Sequence, residues 1–162
     1  DGLSDGTPAG CPPAGTATGD YGVTVTLNGD ISGYAWSGNI GWISFNAGDL
    51  VSCPQTPCSP KINRSTGILS GWARACAGTV NGDCTGGPRT DGWDGWIHLR
   101  GLTSESTPTE YGVSLTGCVW DGYAWGSDIV GWIRFQKTTT PLYGVAGEGD
   151  ACNAAIDYSL EI

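Results

Sequence analysis

Asp83, Asp91 and Asp94 share one glycine-rich stretch, NGDCTGGPRTDGWDGW. Carboxylates gathered on a turn are what a calcium ion needs, so these three are the metal candidates. Their spacing is not that of a helix–loop–helix calcium loop. Glu105 and Glu110, in SESTPTEY, could divide the acid and base work of glycoside cleavage. They flank a Ser/Thr/Pro loop, and two glutamates are too common a feature to mark a site. The single histidine, His98, sits in the strand-like WIHL and reads as packing. With one histidine and no methionine, a haem or copper carrier lacks axial ligands. No nucleophile elbow, HExxH, P-loop or dinucleotide fingerprint is present. The expectation is a protein that is not an enzyme and uses no cofactor.

The seven cysteines carry a different chemistry. No CxxC occurs, and the chain starts at Asp1 with no methionine anywhere, as after removal of a targeting segment. Disulfides in an oxidising, extracellular or cell-surface setting are expected. Cys53 with Cys58 closes CPQTPC, and Cys76 with Cys84 closes CAGTVNGDC; both loops hold turn formers. Cys118 and Cys152 could form a third bridge, although sequence alone leaves the connectivity open. Cys11 is then the odd cysteine, a free thiol or a link to another chain. Surface glycans have acceptors in the sequon Asn63-Arg64-Ser65 and in Thr138, Thr139 and Thr140.

The composition narrows the partners. The net charge is −9, with seven scattered Lys and Arg, so no basic stripe exists to neutralise nucleic-acid phosphates. No apolar run is long enough for a transmembrane segment. Eight Trp and six Tyr exclude a disordered chain, because their apolar area must be covered.

The elements that position these residues are strands. Residues 1–20 are Gly, Pro, Ala, Thr and Asp without periodicity, an extended arm. Residues 21–162 read as a single all-β domain. In YGVTVTL, Val23, Val25 and Leu27 alternate with Thr24 and Thr26; NGD is a hairpin turn; ISGYAWS, a Gly-Asn turn and IGWISF complete a three-strand meander over residues 21–46. The unit returns at 111–136. It returns in degraded form at 60–99, where Gly71 matches Gly33, Trp72 matches Tyr34, Arg74 matches Trp36 and Trp96 matches Trp42. A fourth, truncated unit spans 143–162. An antiparallel β-sandwich of meander repeats is expected, with a three-fold β-prism or β-trefoil as the alternative.

GYAWSGNIGWISF (33–45) and GYAWGSDIVGWIRF (122–135) hold the densest aromatic text. Both faces of IGWISF are apolar, which predicts a central strand covered on both sides. Gly33, Gly41, Gly122 and Gly131 are expected to make room for a ring from a neighbouring strand. Trp42, Trp96 and Trp132 are expected to be buried equivalents, and a sugar-stacking platform is the functional alternative.

The string G-Y-A-W-S-x-N-I-G-W-I, carried by Gly33 to Ile43 and by Gly122 to Ile133 with one extra residue, resembles a repeat in predicted secreted or cell-surface proteins of uncultivated bacteria. That resemblance implies a surface location and no defined reaction. In general character the chain also resembles β-sandwich pilus subunits.

Two functions follow as expectations. The first is a structural subunit of an extracellular filament or surface layer, a homopolymer joined head to tail. Its joints would be the final strand, with Ile156, Tyr158, Leu160 and Ile162 on one face, and Cys11 as an inter-subunit bridge. The second is a secreted lectin-like module that binds glycans through exposed Trp and Asp.

Overall fold

The computed structural model describes residues 22–104, 106–116, 119–136, 146–148 and 159–161. The protein is all-β and antiparallel. The strands are β1 (Val23–Val25), β2 (Ile31–Ser37), β3 (Gly41–Ser44), β4 (Lys61–Ile62), β5 (Leu69–Ser70), β6 (Trp72–Ala75), β7 (Trp96–His98), β8 (Arg100–Leu102), β9 (Glu110–Thr116), β10 (Val119–Trp125), β11 (Trp132–Gln136), β12 (Ala146–Glu148) and β13 (Ser159–Glu161). Nine of them form one sheet in the order β1-β2-β3-β6-β7-β10-β9-β8, with β11 also paired to β10. Two hairpins, β4–β5 and β12–β13, are separate two-stranded sheets. A single helical turn, α1 (Ser127–Val130), replaces the tight turn of the first unit where the sequence inserts one residue.

The middle strands of the repeats share one register. Tyr34, Ala35 and Trp36 of β2 face Ser44, Ile43 and Trp42 of β3. Trp72, Ala73 and Arg74 of β6 face His98, Ile97 and Trp96 of β7. Tyr123, Ala124 and Trp125 of β10 face Arg134, Ile133 and Trp132 of β11. The Ala–Ile pairs point to the core, where Ala35, Ile43, Ala73, Ile97 and Ala124 are buried with Phe45, Leu99 and Phe135. Strand pleating then sends the Trp, Tyr, Arg and His side chains to the opposite face.

Glycine is required where two chains of backbone meet. Gly33 and Gly122 both have φ of +105°. A Cβ on either would lie 2.1 Å from a carbonyl oxygen, that of Gly22 or Gly112. The room is therefore taken by backbone rather than by a ring, which corrects the expectation drawn from the sequence. At Gly41 the nearest atom to such a Cβ is a Trp36 ring carbon in ordinary contact at 3.8 Å, and Gly131 has open space. These two serve through their positive φ at the turn into the third strand.

Candidate functional site

The outward face of the sheet carries a belt of rings. Trp36 and Trp42 meet edge to face with centroids 5.1 Å apart, and Tyr34 meets Trp42 at 6.4 Å. In the middle unit Trp72 meets Trp96 at 6.1 Å and stacks flat on His98 at 3.9 Å. The belt continues through Tyr111 to Trp132, which also touches Tyr123 and Trp125. The Tyr111 hydroxyl stands 3.1 Å from His98 Nδ1. Burial lowers the His98 pKa and raises that of Tyr111, so the pair is neutral at ordinary pH.

Cover over the belt is uneven. Leu50 and the Cys53–Cys58 loop pack on Trp72 and Trp96, which are 8% and 7% exposed. The Trp72 Nε1–H donates to the Gln55 carbonyl at 2.7 Å, so that loop also satisfies the buried indole. In the first unit Asp49 accepts hydrogen bonds from Tyr34 and Ser44. Burial, and then the Asp49 charge, push the Tyr34 pKa up. At the ends of the belt the rings stay open: Trp36 is 37% exposed, Tyr123 44% and Trp132 49%. Trp132 and the half-buried Trp42 are thus equivalent to Trp96 in register but not in burial, contrary to the sequence expectation. No counterpart of Leu50 and its disulfide loop covers Trp132 among the described residues.

Neighbouring units are joined by a repeated junction. The third strand of one unit pairs with the second half of the middle strand of the next: Ile43 with Ala75 and Ser44 with Arg74, then His98 with Trp125. The same junction has two unused halves. Beyond Gly33, the β1 side of β2 has no strand partner among the described residues, and β11 has none on the side away from β10. Both ends border one apolar hollow, lined by Val23, Val25, Ile31 and Phe45 from the first unit and by Trp120 and Phe135 from the third. The hairpin β12–β13 lies beside both ends and, among the described residues, pairs with neither.

Comparison with protein-family models, with curated proteins and with solved structures finds no match. The chemistry of the site therefore rests on its own residues. Cys53–Cys58 and Cys76–Cys84 are both joined as disulfides, as the short loops predicted. Cys11, Cys118 and Cys152 lie outside the described residues, as do Thr138, Thr139, Thr140, Glu105, Ile156, Tyr158 and Ile162. Leu160 falls in β13, opposite Gly147 of β12, so this part of the expected donor strand has a partner within its own chain. Asn63 is exposed at a turn, and its side-chain oxygen accepts the N–H of Ser65 at 2.9 Å.

The three aspartates are not brought together. Asp83 caps its own turn, accepting the N–H groups of Thr85 and Gly86 at 3.0 Å each. Those bonds, Gly86 first, lower its pKa. Asp91 pairs with Arg89, which lowers its pKa in turn. Asp94 accepts the Trp96 N–H at 3.2 Å. Among the described residues no group of three or more His, Cys, Asp or Glu could hold a metal ion. Glu110 is ion-paired with Arg100 at 2.7 Å. No helix among those residues is long and apolar enough to cross a membrane.

Arg74 is the residue that repeat matching undervalued. It is 1% exposed and lies over the Trp96 ring at 4.5 Å. Its Nε donates to the Asp94 carbonyl at 3.2 Å and its Nη1 to the Cys84 carbonyl at 3.3 Å. Burial lowers its pKa, against the pull of Asp94, Asp83 and Asp49. Where the other units have tryptophan, this arginine fastens the disulfide-closed insert 76–94 to the sheet. The signal in the sequence was the coincidence of the Trp-to-Arg change with the insert.

Proposed function

We propose that the chain is a structural subunit of an extracellular filament or surface layer, joined head to tail to copies of itself. One observation carries the reading. Among the described residues, the junction that links unit to unit twice inside the chain is left half-made at each end of the sheet. Unpaired strand edges are templates for another chain, and a contact between two different edges propagates unless its rotation closes a ring. The two disulfides support an oxidising location outside the cell, where such assemblies persist. In this reading the protein is not an enzyme and needs no cofactor. Electron microscopy and light scattering of the oxidised full chain test it. Regular fibres or sheets are expected; a protein that stays monomeric at millimolar concentration sinks the proposal.

The exposed Tyr123 and Trp132 rings favour a second reading, a carbohydrate-binding face. Sugars stack on such rings, and Arg134 and Asp121 would supply polar partners at the rim. Saturable quenching of tryptophan fluorescence by one polysaccharide, from a monomeric protein, would select this reading over the first.

A further inference from the structure

We propose that β11 of one copy pairs antiparallel with β2 of the next, with Arg134 opposite Trp36 and Ile133 opposite Ser37. The proposal rests on the self-assembly reading above and names its interface. Ser44, His98 and Arg134 occupy one position of the repeat, because they face Tyr34, Trp72 and Tyr123 in the shared register. Trp36, Arg74 and Trp125 occupy another, facing Trp42, Trp96 and Trp132. The internal junctions match the first position with the second: Ser44 with Arg74, His98 with Trp125. The members left over among the described residues are Arg134 and Trp36. Within one chain these edges border the same hollow with β12–β13 beside them; a second copy offers the same two edges in this register, so the new contact would continue one the chain already makes twice.

The side chains suit the pairing. On the core side, each second-position residue is followed by a small one: Ser37, Ala75 and Gly126. Ile43 packs opposite Ala75, and Ile133, half-buried, would find Ser37. On the outward side a guanidinium would meet an indole. Arg134 lies 5.9 Å from the Tyr123 ring, at the outer limit of a cation–π contact, while Trp36 presents an exposed face. Pairing would also join the two open ends of the ring belt. The hairpin β12–β13 packs beside both edges and gives neither a ladder bond among the described residues, so the pairing requires it to leave them.

The test uses the full chain. An Arg134→Cys chain is mixed with an isotope-heavy Trp36→Cys chain, oxidised, and mapped by mass spectrometry. Directly opposed residues in an antiparallel pair lie within reach of a disulfide. A bridge from light 134 to heavy 36 is expected. A Trp36→Cys/Arg134→Cys double variant, mixed light and heavy, guards against closure of the seam within one chain. Bridges confined to light–light and heavy–heavy pairs would overturn the proposal. Polymers that persist with no 36–134 bridge would overturn this register and leave self-assembly standing. A monomeric native protein would instead remove the reading beneath it. Should Trp36→Cys fail to fold, Arg134→Glu is an exposed change that spares the core. About tenfold weaker self-association at an unchanged melting temperature is expected, and unchanged association counts against the interface.

Discussion

The His98 imidazole lies flat on the Trp72 indole, ring centroids 3.9 Å apart and planes 7° from parallel. The stack requires a partly buried imidazole, and burial lowers its pKa below the ordinary value. The unfolded chain then binds a proton that the folded chain resists. Stability from this group is complete above the unfolded histidine pKa of about 6.5 and is lost as pH falls through the lower folded value. Denaturant midpoints should therefore decline between neutral pH and mild acid, above the range where carboxylates titrate. His98→Phe keeps a flat ring and should flatten that decline. An equally steep profile in the variant would assign the effect elsewhere.

Gly33 offers a sharper test of backbone packing. Gly33→Ala must hold a φ of +105° and put a methyl against the Gly22 carbonyl oxygen. A loss of at least about 2 kcal/mol is expected, combining left-handed strain with a clash that only backbone movement relieves. Gly38→Ala, with open space around it, is the control and should change stability little. Equal urea midpoints for the two variants would show that the close approach is not tight in solution.

Much of this arrangement was legible in the sequence, for local reasons. Alternation in VTVTL, turn chemistry at Asn28-Gly29 and repetition of GYAW and GWI mark strands whose pairing is set by neighbours in the chain. Burial of equivalent rings was not legible, because it depends on distant cover. Trp96 lies beneath Leu50 and the Cys53–Cys58 loop, whereas Trp132 stands at a sheet end. Both occur in the same GWI text. Gly33 was misread for a related reason: the atom that excludes a side chain there is a carbonyl on another strand, which leaves no mark in the local composition.

That difference in cover predicts different costs for the same substitution. Trp96→Ala should lose roughly 3–5 kcal/mol, the range for emptying a large ring from a core. Trp132→Ala, half-exposed but in contact with three other rings, should lose about 1 kcal/mol, the centre of the range for single substitutions. Paired thermal melts decide the matter. If Trp132→Ala melts as early as Trp96→Ala, the end of the belt is covered in the native protein.

The Cys53–Cys58 bridge should matter beyond its small loop. Replacing both cysteines with serine is expected to cost about 2–4 kcal/mol through the unfolded state. It should also loosen the lid whose Gln55 carbonyl accepts the Trp72 N–H. Tryptophan emission should shift to the red in the folded variant as water reaches Trp72 and Trp96. Unshifted emission would mean that Leu50 alone seals the pair.

Arg74 links the insert to the sheet, so its loss should be felt in the insert first. Arg74→Leu retains apolar contact with Trp96 but removes donors from the Asp94 and Cys84 carbonyls. Unpaired buried carbonyls cost about 1–3 kcal/mol each, so for the two a loss of about 2–6 kcal/mol is expected. The Cys76–Cys84 disulfide would still close its loop, leaving residues 85–94 as the part released. Trypsin should then cut after Arg89 sooner than in the parent protein, while the bond after Arg134 in β11 is cut at its former rate. Equal acceleration at both sites would point to global unfolding, and no acceleration at Arg89 would show that the insert is held by other contacts.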